Sequence, residues 1–93
     1  MRVLRLEQSI ERAVFKNAKK LGILYTKLTL YGSRGMPDAV FWLPSRPIFM
    51  EFKRPGETPD AHQAYIIWCL RALNYEVYIV DDAEKGKGII SVS

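Results

Sequence analysis

Cysteine and histidine are nearly absent from this chain, at one residue each, Cys69 and His62. A single thiol excludes an internal disulfide and any cysteine-based zinc cluster, and Cys69 reads as a small apolar residue on a helix. His62 reads as a solvated first-turn residue rather than as a general base. Long apolar runs are missing too. No stretch approaches the ~18 residues of a membrane span, and the start Met1-Arg2-Val3-Leu4-Arg5 lacks the apolar segment of a secretion signal. The expected location is therefore cytoplasmic. Repeats, low-complexity tracts and linkers are absent as well, so residues 1–93 are expected to form one domain.

What is present is ordinary for a soluble globular protein, 48% hydrophobic and 26% charged residues. A core built from 93 residues is small, and a dimer interface adding apolar contact would be unsurprising. The net charge is +4, with basic residues grouped as Arg2/Arg5/Arg12, Lys16/Lys19/Lys20 and Arg34, Arg46, Lys53, Arg54. Such a balance suits a polyanionic partner through phosphate contacts. Charge alone does not distinguish it from the many small basic proteins that bind no nucleic acid.

Residues from Leu6 to Leu21 carry a helical stripe through Ile10, Ala13, Val14, Asn17, Ala18 and Leu21, closed by Gly22. Ile23 to Leu30 reads as a strand, and Gly32-Ser33-Arg34-Gly35-Met36-Pro37 as a turn-rich loop. Two apolar strands follow, Asp38 to Leu43 and Pro47 to Lys53, joined through Pro44-Ser45-Arg46-Pro47. Thr58-Pro59-Asp60 looks like an N-cap, a proline at the first helical position and an early acid. It opens a helix to about Leu73 with an inner stripe of Gln63, Ile66, Ile67, Leu70 and Leu73. Glu76 to Val80 is a strand, and Ile89 to Val92 is a candidate edge strand after a Lys85-Gly86-Lys87-Gly88 turn. The order α-β-β-β-α-β predicts an α/β fold, a mixed sheet flanked by helices.

Within the two apolar strands stand Asp38, Glu51 and Lys53. Ionised carboxylates among apolar neighbours are costly unless paired, hydrogen-bonded or bound to a metal. With Ser45 and Arg46 at the tip of a two-residue hairpin, Asp38 faces Lys53 directly and Glu51 lies one diagonal step away. Direct pairs lie ~5 Å apart and diagonal ones ~7–8 Å, a gap two carboxylates can share around one ion. The carbonyl of Phe52 offers a further ligand at the strand edge. An all-oxygen set of Asp38, Glu51, carbonyl and water suits Mg²⁺ or Mn²⁺ rather than zinc. The chemistry that follows is phosphodiester hydrolysis, with Lys53 positioning the nucleophile or neutralising the phosphate. The competing reading is a surface cluster of ion pairs.

Other residues leave alternatives open. Gln63 either reaches toward this site or is a partly exposed first-turn residue. Glu7 and Glu11, one turn apart on the first helix, each either bring a third carboxylate or pair with Arg5, Arg12 or Lys16. Ser33 and Arg34 either contact a phosphate or sit in an ordinary glycine turn. Lys27 and Arg54 join them as candidate nucleic-acid contacts on charge alone. Tyr25, Tyr31, Trp42 and Trp68 read as core or interface.

Gly35-Met36-Pro37-Asp38, Glu51-Phe52-Lys53 and Gln63 together resemble the G-x-P-D…E-x-K…Q pattern of the virus-type replication-repair nuclease (VRR-NUC) domain. That family is a branch of the PD-(D/E)xK, restriction-endonuclease-like nucleases. The likeness runs from about residue 7 to 82. It implies a restriction-endonuclease-like α-β-β-β-α-β core and Mg²⁺- or Mn²⁺-dependent DNA cleavage. It further implies Asp38 and Glu51 as metal ligands, Lys53 as catalytic, Gln63 as support and Glu11 as the first-helix acid. Small members of the family imply a homodimer acting on branched DNA such as Holliday junctions, in a bacterial or phage-infected host cell. A nicking or general duplex nuclease, and a binding module without turnover, are the alternatives. Asn74 stands where the family often has glycine, and asparagine tolerates the same left-handed backbone.

Overall fold

The computed structural model of the chain describes residues 5–28 and 34–91. Helix α1 (Leu6–Lys20) buries Ile10, Val14 and Ala18, the inner positions of the expected stripe. It stops at Gly22, whose φ of +74° is the left-handed conformation glycine adopts freely. There the Gly22 N–H donates to the Lys19 carbonyl (3.2 Å) and the Ile23 N–H to Ala18 (2.9 Å), which satisfies the last carbonyls.

Strands β1 (Leu24–Lys27), β2 (Ala39–Trp42), β3 (Pro47–Phe52) and β4 (Glu76–Val80) form one sheet in that order. The first three run antiparallel, and β4 lies parallel to β3 after a crossover through α2 (Ala61–Ala72). Of the predicted Ile23 to Leu30, the described residues Ile23 and Leu28 flank β1 rather than join it, although the Leu28 N–H still donates to the Asp38 carbonyl (2.8 Å). Residues 29–33, with Tyr31 and Ser33, lie outside the described residues.

Four expectations need correction. The β2–β3 turn has Pro44 and Ser45 at its tip, not Ser45 and Arg46: Trp42 pairs with Pro47, and the Leu43 N–H donates to the Arg46 carbonyl (3.2 Å). This places Pro44 second in a four-residue turn, where its fixed φ is favoured. The helix α2 starts later than Thr58, because Asp60 is the N-cap and its carboxylate accepts from the Gln63 N–H (2.9 Å). Leu73 is not on the inner face. It is 68% exposed, and the chain turns away through Asn74 (φ +69°), with the Tyr75 N–H donating to Leu70 (3.0 Å). Finally, the Lys85–Gly88 segment and Ile89 belong to a third helix, α3 (Ala83–Ser91), rather than to a turn and edge strand. Two glycines disfavour a helix by roughly 1 kcal/mol each. Packing against α1 overrides this: Gly86 and Ile90 are buried, and a β-carbon on Gly86 would stand 2.6 Å from Val14 Cγ2.

The sheet is covered on both faces. Ala39, Phe41, Leu43, Ile48, Met50, Phe52 and Val80 alternate onto the face under α1 and α3, where they join Ile10, Val14, Ala18 and Ile90 in the main core. The opposite face carries Val40, Phe49, Glu51 and Val77, with buried Ile67 from α2. Aromatic contacts bracket the core, with Phe15 stacked on Tyr25 at 4.1 Å and edge-on to Phe41 and Phe52. Of the other aromatics, Trp42 donates to the Thr26 hydroxyl (3.0 Å), while Trp68 is 68% exposed on α2.

Candidate active site

The register decides how the carboxylates meet. One step beyond the Ala39–Met50 pair, Asp38 comes opposite Glu51, and Lys53 takes the diagonal. The two acids are thus closer than the predicted diagonal, on the face that α2 covers. Both are held. The Phe52 N–H donates to Asp38 Oδ2 at 2.7 Å, and Gln63 Nε2 donates to Glu51 Oε2 at 3.0 Å. Gln63 does two jobs with one amide, since its Oε1 also accepts from the Asp60 N–H (2.9 Å) and so closes a reciprocal cap on α2. Gln63 therefore reaches the site.

Glu51 is the most telling residue. It is 2% exposed, the buried charged residue of the described core. Lys53 Nζ stands 3.5 Å from Glu51 Oε2, while Glu51 Oε1 is buried with no hydrogen-bond partner among the described residues. A buried carboxylate oxygen left bare costs on the order of 1–3 kcal/mol or more. Burial, then the neighbouring Asp38 charge, raise the Glu51 pKa to about 7, against the opposing pull of Lys53. Asp38 is also raised, chiefly by burial, with the Phe52 N–H and Lys53 working the other way.

The first helix contributes a second pair of acids near this end of the sheet. Glu11 stands 3.7 Å from Lys27, and Glu7 3.6 Å from Arg54, both beyond hydrogen-bond length. Each keeps one buried oxygen without a hydrogen bond among the described residues. Burial raises the Glu11 pKa, Lys27 opposes it, and Asp38 adds to the rise. Arg54 is exposed and also meets Glu57 at 3.2 Å. Arg34 is exposed in the loop before Asp38, and Ser33 lies outside the described residues. His62 is exposed at the start of α2.

Gly35 explains how that loop is seated. Its φ is +86°, and an added β-carbon would stand 2.6 Å from the His62 carbonyl oxygen. The loop before Asp38 therefore packs its backbone directly on the first turn of α2, the turn that carries Gln63. Sequence reasoning missed this contact and the Asp60 cap. The spacing Asp60-x-x-Gln63 was a signal for the cap, masked by the equally plausible Thr58-Pro59.

An oxygen-seeking cation fits this arrangement. Two facing carboxylates, one with a bare buried oxygen, and the end of β3 at Phe52 supply only oxygen donors. Among the described residues, no three acidic, histidine or cysteine side chains gather into a ready-made metal cluster. Any ion here would rest on Asp38 and Glu51, completed by backbone carbonyl and water.

No family model matches the chain. It is 36% identical over 85 residues to "Putative nuclease p44" of Acyrthosiphon pisum secondary endosymbiont phage 1, covering 90% of each chain. A solved structure described as a VRR_NUC domain superposes with a TM-score of 0.84 at 25% identity, over 96% of this chain and 98% of that one. The chain belongs to the VRR-NUC family. Its mixed sheet with helices on both faces is the VRR-NUC fold. Within this VRR-NUC domain, the G-x-P-D segment, the E-x-K strand and the helical glutamine are the three pieces that the sheet register and the Gly35–His62 contact bring to one place.

Proposed function

We propose that this nuclease-family domain is an Mg²⁺- or Mn²⁺-dependent endodeoxyribonuclease that hydrolyses phosphodiester bonds, acting as a homodimer on branched DNA such as Holliday junctions. The observation that carries the reading is Glu51: a buried carboxylate facing Asp38, with one oxygen clamped by Gln63 and the other bare. Asp38 and Glu51 would hold the ion, completed by the Phe52 carbonyl and water, with Glu11 as a further acid at the rim. When bound, the ion supplies polarisation of the phosphate and an acidified water. The chain's own residues do the rest. Gln63 and the Phe52 N–H fix the carboxylates before substrate arrives, so no reorganisation is needed at the moment of reaction. Lys53, anchored beside Glu51 at 3.5 Å, holds the attacking water and neutralises charge that develops on the phosphate. Lys27, Arg34 and Arg54 offer positive charge to the DNA backbone, and Ser33 is carried from the sequence as a hydroxyl donor to it. A cytoplasmic location belongs to the same reading.

The test incubates the purified protein with labelled four-way junction and with matched linear duplex, in Mg²⁺, Mn²⁺ or EDTA. Cutting should require the metal. Asp38→Ala and Lys53→Ala should lower the rate by on the order of 10²-fold or more while binding persists. Equal cutting of linear duplex would replace the junction claim with a general or nicking nuclease. Binding without cutting in any metal would leave a non-catalytic module.

A further inference from the structure

Beside the acids, α1 and β1 enclose an open groove of about 490 Å³. Four cations line it, Arg12, Lys16, Lys19 and Lys27, against one acid, Glu11. All four are exposed, and the stacked rings of Phe15 and Tyr25 form its floor. Most of the positive charge here is unspent, since only Lys27 faces an acid among the described residues, Glu11 at 3.7 Å. Arg46, Lys53, Arg54 and Lys87 each face a carboxylate, whereas Arg12, Lys16 and Lys19 hold no ion pair among the described residues. They follow one another at i, i+4 and i+7, so they line one side of the helix over ~10 Å, about three base steps of a DNA strand. The groove also runs into the site. Lys27 lines it and pairs with Ala39 in the ladder, while the next residue, Leu28, bonds the Asp38 carbonyl (2.8 Å).

We propose that this groove carries the sugar-phosphate backbone of the DNA arm beside the scissile phosphate, with Arg12, Lys16 and Lys19 as sequence-independent phosphate contacts. The proposal rests on the nuclease reading for its partner and adds the path that partner takes. A polyanionic strand suits a row of unpaired, exposed cations. Its contacts release counterions and so make binding steeply salt-dependent. The rings beneath are stacked on each other and partly buried, so they form a floor and are not offered as base-stacking platforms.

The test measures binding of a fluorescent duplex by anisotropy across a sodium chloride series, in EDTA so that nothing turns over. Wild type is compared with the double variant Lys16→Ala/Lys19→Ala and with Lys85→Ala/Lys87→Ala, an equal charge change on α3 outside the groove. The groove variant should flatten the slope of log K against log salt by roughly 2, near 0.9 per lost contact, and the α3 variant by much less. Circular dichroism melts should leave both variants folded, because Lys16, Lys19 and Lys85 are exposed and Lys87 is only half-buried, outside the core. An unchanged slope in the groove variant, or an equal loss in both, overturns the proposal. The two readings fail separately. A protein that cuts with metal but keeps its slope loses the groove, and one that shows the slope change but never cuts loses the nuclease.

Discussion

Glu51 shows how a single side chain can be held in an unfavourable state. Its pKa is raised from 4.5 to about 7, so the folded protein holds the proton more tightly than the unfolded chain. The stability this lends is fully present below pH 4.5 and is lost as pH rises through about 7. The metal-free protein, kept in EDTA, should therefore lose on the order of 3 kcal/mol between these limits, about 1.4 kcal/mol per unit. Glu51→Gln should remove most of that slope, and thermal melts from pH 4 to 8 would check it. An equally steep fall in the variant would place the effect elsewhere. Gly35 gives a second prediction at this scale. Alanine there meets both a left-handed backbone, worth ~1–2 kcal/mol, and the His62 carbonyl oxygen, which belongs to a helix and cannot yield. Gly35→Ala should cost roughly 2 kcal/mol or more in urea unfolding and displace Asp38, lowering cleavage along with stability.

Among the elements, the helices show where local sequence was a sound guide and where it was not. The α1 stripe and its glycine stop predicted the helix to within a residue, because amphipathic spacing and the closing φ are both local properties. For α2 the stripe was visible but the start was not, since two capping patterns overlap at 58–63 and only contact with Glu51 favours the Asp60–Gln63 one. For α3 the local signals pointed to a turn and a strand. Two glycines speak against a helix, yet α1 and α3 approach so closely that Gly86 has Val14 Cγ2 where its β-carbon would be, 2.6 Å away. Gly86→Ala should therefore destabilise by ~1–3 kcal/mol through overpacking, despite gaining helix propensity. In a Val14→Ala background the penalty should shrink toward zero, as only the milder 3.1 Å approach to Val80 Cγ1 still opposes the propensity gain. A double-mutant cycle in urea decides, and a penalty that persists in the Val14→Ala background would mean the clash is not with that methyl group.

At the scale of the whole molecule, the site is a meeting of four elements. β2 and β3 bring two acids face to face, α2 clamps one of them, and the first helix adds Glu7 and Glu11 at the rim. A cation that binds only this folded arrangement must stabilise it. Mg²⁺ or Mn²⁺ in excess should raise the melting temperature, with EDTA reversing the rise, and more so at pH 8 than at pH 6, where Glu51 is largely protonated and the ion must displace a proton. Asp38→Ala should abolish the shift; a metal-induced rise that survives in that variant would place the ion elsewhere. The sequence by itself determined the element types up to β4, most of the apolar faces, and that Asp38, Glu51 and Lys53 stand together on two neighbouring strands. These follow from residue type and short-range periodicity, which need no knowledge of distant neighbours. Tertiary structure alone decided that Asp38 faces Glu51 rather than Lys53, that Gly35 seats its loop on α2, and that the last segment is a helix. Each of these depends on contacts between residues far apart in the chain, where packing and register outweigh the local preferences that the sequence displays.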